Sequence, residues 1–164
     1  MTNDELTITR IIRHPREQVF EAWTDPNQLV RWFAPRGCTI LILKLEIREG
    51  GRFHWCIKNP KYPDCWCIGE FIKLQHPSLL QYKIRLADET GNPVSSQEVF
   101  KDEEWPEETL VTVTFNDREN DTELIIKQTV IETVARKTGA YHSWIEMLDI
   151  LEEQLVESPT NMKV

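Results

Sequence analysis

Apolar and polar positions alternate over most of this chain, and helical spacing is confined to two stretches. Leu6, Ile8 and Ile12 alternate with polar neighbours, which predicts an opening strand ended by His14-Pro15. Val19, Phe20, Ala22 and Trp23 then predict a short amphipathic helix. Asp25-Pro26 stops it and starts a second, with Leu29, Val30, Trp32 and Phe33 apolar. From residue 38 the pattern turns to strands, expected over 38–49, 52–58, 65–75, 79–87, 109–115 and 123–131. Gly50-Gly51, residues 59–64, His76-Pro77-Ser78 and residues 116–121 separate them as turns. At the far end Tyr141, Trp144, Leu148, Leu151 and Leu155 recur in steps of three and four, with Glu146, Asp149, Glu152 and Glu153 mostly opposite. This long helix must bury its stripe, and the large apolar partner on offer is the sheet. The expected class is α+β, a curved antiparallel sheet wrapping a C-terminal helix, with two short helices after the first strand. Residues 88–108 are long, acidic and rich in turn formers for a connection, yet carry Phe100 and Trp105. They are expected to form a flap or lid.

At 164 residues the chain fits one domain, expected over 1–157, with a flexible tail at 158–164. Nineteen basic against 27 acidic residues give a formal charge of −8. That balance argues against a nucleic-acid partner, whose affinity depends on phosphate neutralisation by Lys and Arg. No apolar run reaches the ~20 residues of a membrane span. The opening Met1-Thr2-Asn3-Asp4-Glu5 is acidic and polar, unlike a secretory signal. Cys38, Cys56, Cys65 and Cys67 are therefore expected to be free thiols in a reducing, cytoplasmic setting.

The predicted order of elements resembles the helix-grip fold of the START-like (SRPBCC) superfamily. The words Val19-Phe20-Glu21-Ala22-Trp23-Thr24-Asp25-Pro26 and Leu29-Val30-Arg31-Trp32-Phe33 resemble the N-terminal signature of the family related to the activator of heat-shock-protein-90 ATPase. Gly50-Gly51-Arg52-Phe53, Leu110-Val111-Thr112-Val113-Thr114-Phe115 and Thr138-Gly139-Ala140-Tyr141-His142-Ser143-Trp144 are similar to its third-strand opening, last hairpin and helix start. The match is to single-domain members; no part of the chain resembles the additional N-terminal domain of the eukaryotic co-chaperone. The resemblance implies a cavity between sheet and helix for an apolar, lipid-like or aromatic small molecule, and sets a binding module ahead of an enzyme. It leaves open a co-chaperone-type domain that binds a chaperone or other protein, and a small polyketide cyclase or dehydratase.

Centring the 59–64 turn between Pro60 and Lys61 pairs Trp55 with Trp66 and Phe53 with Ile68. With Trp32, Tyr82, Phe115, Tyr141, Trp144 and Leu148 these aromatics are the expected ligand-binding wall. The same pairing gathers His54, Cys56, Cys65 and Cys67 on one face, all of zinc-ligand type. A C-x-C strand, however, splays its sulfurs to roughly 7 Å, so no metal site is expected. Candidate proton-transfer groups are His54, Glu70, Tyr82 and His142, no two at a spacing that implies an acid–base couple. No nucleophile elbow, phosphate loop or H-E-x-x-H is present, and no cofactor is expected.

Overall fold

The computed structural model describes residues 4–101 and 104–157. Seven strands form one antiparallel sheet: β1 (Glu5–Ile12), β2 (Thr39–Leu45), β3 (Arg52–Asn59), β4 (Tyr62–Gln75), β5 (Leu79–Ala87), β6 (Thr109–Arg118) and β7 (Asp121–Ile131). Their order across the sheet is β1-β7-β6-β5-β4-β3-β2. Every neighbour except the β1–β7 pair is thus a sequence neighbour. Register shifts in β2, β3 and β4 mark bulges, which bend a sheet and increase its twist. One face carries Leu6, Ile8, Phe53, Trp55, Leu80, Tyr82, Val111, Val113, Phe115, Leu124 and Ile126, all buried.

Helices α1 (Arg16–Thr24) and α2 (Pro26–Trp32) carry the chain from one edge strand of the sheet to the other. Asp25 both ends α1 and caps α2, its carboxylate accepting from the Asn27 N–H at 3.0 Å, with Pro26 in the first helical position. Val19, Phe20, Ala22 and Trp23 on α1, with Leu29 and Trp32 on α2, face the core. Trp32 fastens the pair by donating its indole N–H to the Ala22 carbonyl.

The long helix α5 (Ala140–Val156) buries Trp144, Met147, Leu148, Leu151 and Leu155. Arg10 on β1 reaches it through ion pairs to Asp149 at 2.7 Å and Glu152 at 3.1 Å. Arg36, beyond α2, pairs with Glu153, and its backbone N–H donates to Glu146. The architecture is the helix-grip fold expected from the sequence.

Four local expectations need correction. A short helix, α4 (Glu132–Thr138), precedes α5 and joins it at Gly139, whose φ of +90° is open to glycine but strained for other residues. The stripe of α5 includes Met147, while Tyr141 is only half-buried. The 116–121 loop is shorter than expected, because β6 and β7 run on to a two-residue turn, Glu119-Asn120, with φ of +49° and +80°. The β3–β4 pairing is shifted by one residue. Asn59 does face Tyr62, which centres the turn between Pro60 and Lys61. A bulge between Ile57 and Asn59 then sets Cys56 opposite Trp66, Trp55 opposite Cys67, His54 opposite Ile68 and Phe53 opposite Gly69.

Segment 88–108 begins with a turn in which the Asp88 carboxylate accepts from the backbone N–H groups of Thr90 and Asn92. One helical turn, α3 (Ser96–Val99), follows. Buried Ser96 holds its hydroxyl 2.6 Å from both the Trp105 carbonyl oxygen and the Glu107 carboxylate, which share its one proton, and its backbone N–H reaches Glu107 at 2.7 Å. The expected C-terminal tail at 158–164 lies outside the described residues.

Candidate functional site

Between the buried sheet face and α5 lies a cavity of about 530 Å³. Strand alternation supplies its sheet wall: Trp55 and Ile57 from β3, Cys65 and Cys67 from β4, Tyr82, Ile84 and Leu86 from β5, then Thr109, Val111 and Gln128. From α5 come Ala140, Ser143, Trp144 and Met147, one side of a helical stripe. Phe33, just past α2, packs between Trp55 and Trp144, with ring centroids at 5.2 and 6.1 Å. Phe100 and Trp105 complete the wall from segment 88–108, their rings 5.2 Å apart. Exposed Arg36 and Tyr62 mark the mouth.

A chain of hydrogen bonds stiffens this wall. The Trp144 indole N–H donates to the Gln128 side-chain carbonyl at 2.9 Å, and the Gln128 amide donates to the Thr109 hydroxyl at 3.0 Å. Gln128 interrupts the buried row Leu124, Ile126, Val130, and a polar residue on such a row needs a partner. Tyr82 is 3 % exposed, and burial holds its phenol far above the ordinary range. A hydrogen bond between the Cys65 and Cys67 side chains lowers the pKa of Cys65 against the opposing effect of burial, and raises that of Cys67, where burial acts in the same direction. Burial likewise raises Cys56. All four cysteines are free.

Of the nine residues expected in the ligand wall, Trp55, Tyr82 and Trp144 border the cavity. Trp32, Phe115 and Leu148 are fully buried core, and Phe53 lies behind Trp55, stacked on it at 4.0 Å. Trp66 is on the opposite sheet face, near His54 at 5.2 Å, because the β3 bulge inverts the expected pairing. Tyr141 packs beneath the Arg136 guanidinium, 3.9 Å from its ring centre. Phe33, Met147, Thr109 and Gln128 were not anticipated. Two had signals: Met147 lies three residues past Trp144, and Gln128 breaks an apolar alternation.

The four zinc-type residues do not share a face. His54 and Cys56 alternate with Trp55, and the shifted register leaves Cys65 and Cys67 on the cavity side with Trp55. Among the described residues no group of three or more His, Cys, Asp or Glu is placed to hold a metal ion. The proton-transfer candidates are also dispersed. His54 and Glu70 line an outer groove with Lys44, Arg52, Lys83 and Arg85, where His54 Nε2 sits 3.0 Å from the Asp88 carbonyl oxygen. His142 is exposed on α5, its ring edge against Tyr141. Tyr82 alone of the four borders the cavity. No described helix is long and apolar enough to cross a membrane.

Similar folds occur in several bacterial proteins. A solution structure from Staphylococcus epidermidis superposes with a TM-score of 0.78 at 20% identity, covering 96% of this chain and 92% of that one. One from Arthrobacter aurescens gives 0.77 at 22% identity over 93% and 86%. A crystal structure of a Silicibacter pomeroyi protein titled AHSA1 gives 0.73 at 16% identity over 93% and 98%. At these identities the likeness is one of fold. Comparison with functionally curated proteins gives no match. The profile of the family described as Activator of Hsp90 ATPase homolog 1-like protein matches residues 13–156, a span that includes α1, α2, the sheet from β2 onwards and all of α5. The chain therefore belongs to the Activator of Hsp90 ATPase homolog 1-like family.

Proposed function

We propose that this protein binds an apolar small molecule, aromatic or lipid-like, in the cavity between the sheet and α5. The observation that carries this reading is the cavity's volume of about 530 Å³, within the range of about 300–1,000 Å³ usual for small-molecule sites. Its wall is mainly aromatic and aliphatic, with a few polar groups fixed among them, the composition that favours apolar ligands. Phe100 and Trp105 lie on segment 88–108, so that segment serves as the lid of the site. The free thiols suit a reducing cytoplasm, where we place the protein.

The dispersal of His54, Glu70 and His142 favours binding over turnover, since general acid–base catalysis needs its groups within reach of one substrate. The test is direct. Protein purified from its native host is extracted with organic solvent, and the extract is analysed by mass spectrometry. Naphthalene, as an unfunctionalised aromatic probe, is then titrated into the stripped protein. A stoichiometric apolar compound in the extract, with micromolar-range probe binding, supports the reading. No companion compound and no probe uptake would end it.

A further inference from the structure

We propose that the Tyr82 hydroxyl is the hydrogen-bond anchor of the cavity, and that the ligand is a neutral aromatic or lipid-like molecule bearing a carbonyl-type acceptor oxygen. This rests on the binding reading above and deepens it by naming the ligand class.

Tyr82 stands in the middle of the sheet, opposite Phe71 on β4 and Val111 on β6. Its ring is set by edge contacts with Phe53 at 5.8 Å and Phe71 at 6.0 Å, so its direction is fixed by packing. The residue is 3 % exposed and borders the cavity, yet its hydroxyl makes no hydrogen bond to any described residue. The hydroxyl is not one of the sealed polar atoms without a partner among the described residues, so it keeps a surface on which a molecule in the cavity can supply one. Its neighbours across the cavity wall differ in this respect. Trp144, Gln128 and Thr109 satisfy one another, which makes them wall rather than anchor.

Burial and the nearby Cys67 keep the phenol protonated, so the group offers a proton. Sulfur is a weak acceptor, so the cavity-side thiols of Cys65 and Cys67 are poor substitutes for an oxygen. A ligand that displaces solvent from this hydroxyl must return a hydrogen bond to it or lose affinity. An ionised oxygen would incur the desolvation cost of a buried charge. Of the two arginines that border the cavity, Arg36 at the mouth is already paired with Glu153, and Arg85 belongs to the outer strand face, opposite Ile68 in the row of His54. A neutral acceptor, as in a ketone, ester or quinone, meets the requirement at least cost.

The experiment uses three probes of nearly one shape: naphthalene, 2-acetylnaphthalene and 2-naphthoate. Each is titrated against the unaltered protein and Tyr82→Phe, with the carbonyl stretch of ¹³C-labelled 2-acetylnaphthalene read by infrared difference spectroscopy. The expected result is that the ketone binds more tightly than the hydrocarbon. Tyr82→Phe should weaken the ketone about fivefold, the worth of one ordinary hydrogen bond, while naphthalene affinity stays within about twofold. The carbonyl stretch should fall to lower frequency in the unaltered complex and recover in the variant. Equal losses for ketone and hydrocarbon would reduce Tyr82 to a packing residue and overturn the assignment. So would a ketone no tighter than naphthalene, which would leave the cavity reading standing. Tighter binding of 2-naphthoate than of the ketone would overturn the neutral class. Binding of none of the three by the unaltered protein would remove the cavity reading and this inference with it.

Discussion

The indole N–H of Trp144 meets the side-chain carbonyl of Gln128 at 2.9 Å, a bond that ties α5 to the sheet across the cavity. Gln128 passes the connection on to Thr109 at 3.0 Å. Replacing Gln128 with Leu fills similar space but leaves the buried indole N–H without its acceptor. The expected loss is about 1–3 kcal/mol, because an orphaned buried donor carries its full desolvation cost. Each kcal/mol should lower the midpoint of thermal unfolding by about 2–4 °C in a domain of this size. Circular dichroism melts of Gln128→Leu read this directly. An unchanged midpoint would mean that the bond contributes nothing to seating the helix.

Gly69 has a role that its strand position hides. A methyl group there would collide with the Lys83 carbonyl oxygen and the Phe53 ring. Gly69→Ala should therefore cost about 2 kcal/mol or more in urea unfolding, as expected of an overpacked core. Adding Phe53→Leu removes only the ring from the collision. Because the Lys83 oxygen belongs to the backbone, the double variant should recover part of the loss at most. Full recovery would show that the backbone contact is harmless.

Acid should loosen segment 88–108 before it unfolds the protein. The Ser96 hydroxyl and backbone N–H both donate to Glu107 and hold its carboxyl below the ordinary value of 4.5. A carboxyl whose folded pKa is depressed contributes stability above its unfolded pKa and loses it as pH falls through the folded value. The contacts are thus complete above about pH 4.5 and are released below it. Hydrogen exchange of the 95–107 backbone, measured from pH 6 to pH 3, should accelerate over the lower part of that range beyond its intrinsic trend. In Glu107→Gln that extra acceleration should vanish. Identical profiles for the two proteins would remove Glu107 as the cause.

Ser143 faces the cavity from α5 and is only half-buried, so a large side chain can enter there. Ser143→Trp should abolish binding of 2-acetylnaphthalene while the far-ultraviolet circular dichroism spectrum stays unchanged. The added bulk is expected to cost no more than about 1–3 kcal/mol of stability. Undiminished binding would place the ligand elsewhere on the molecule.

The long-range architecture was legible because Trp144, Leu148, Leu151 and Leu155 can occupy one stripe only if they cover a sheet. The turn at Pro60-Lys61 was legible for a similar reason: Asn59, Pro60 and Asp64 are turn formers. The register beyond that turn was not. In β4 the run Cys65, Trp66, Cys67, Ile68 is apolar on both faces, so alternation does not say which side is buried. The bulge between Ile57 and Asn59 settled it, and residues 57–59 carry no glycine or other residue that marks a bulge in the sequence. That slip moved Trp66 out of the cavity and separated His54 and Cys56 from the other two thiols. The helix α4 was missed because the strand pattern of 123–131 runs directly into Glu132 without a side-chain cap. Phe33 closes the apolar pattern of the second short helix, and nothing in its neighbourhood reveals that it also looks into a hollow.

Because β1 pairs with β7, the first strand of this sheet to be synthesised must wait for the last before it has a hydrogen-bonded neighbour. Strands β2 to β5, and β6 with β7, can zip in sequence as hairpins across short loops, whereas β5 and β6 close over segment 88–108 and the final seam joins segments more than a hundred residues apart. Until that seam closes, Leu6, Ile8 and Ile12 have no sheet to cover them. While the rest of this sheet is synthesised, β1 is thus an apolar ribbon without a partner, the interval in which a holdase would have most to protect.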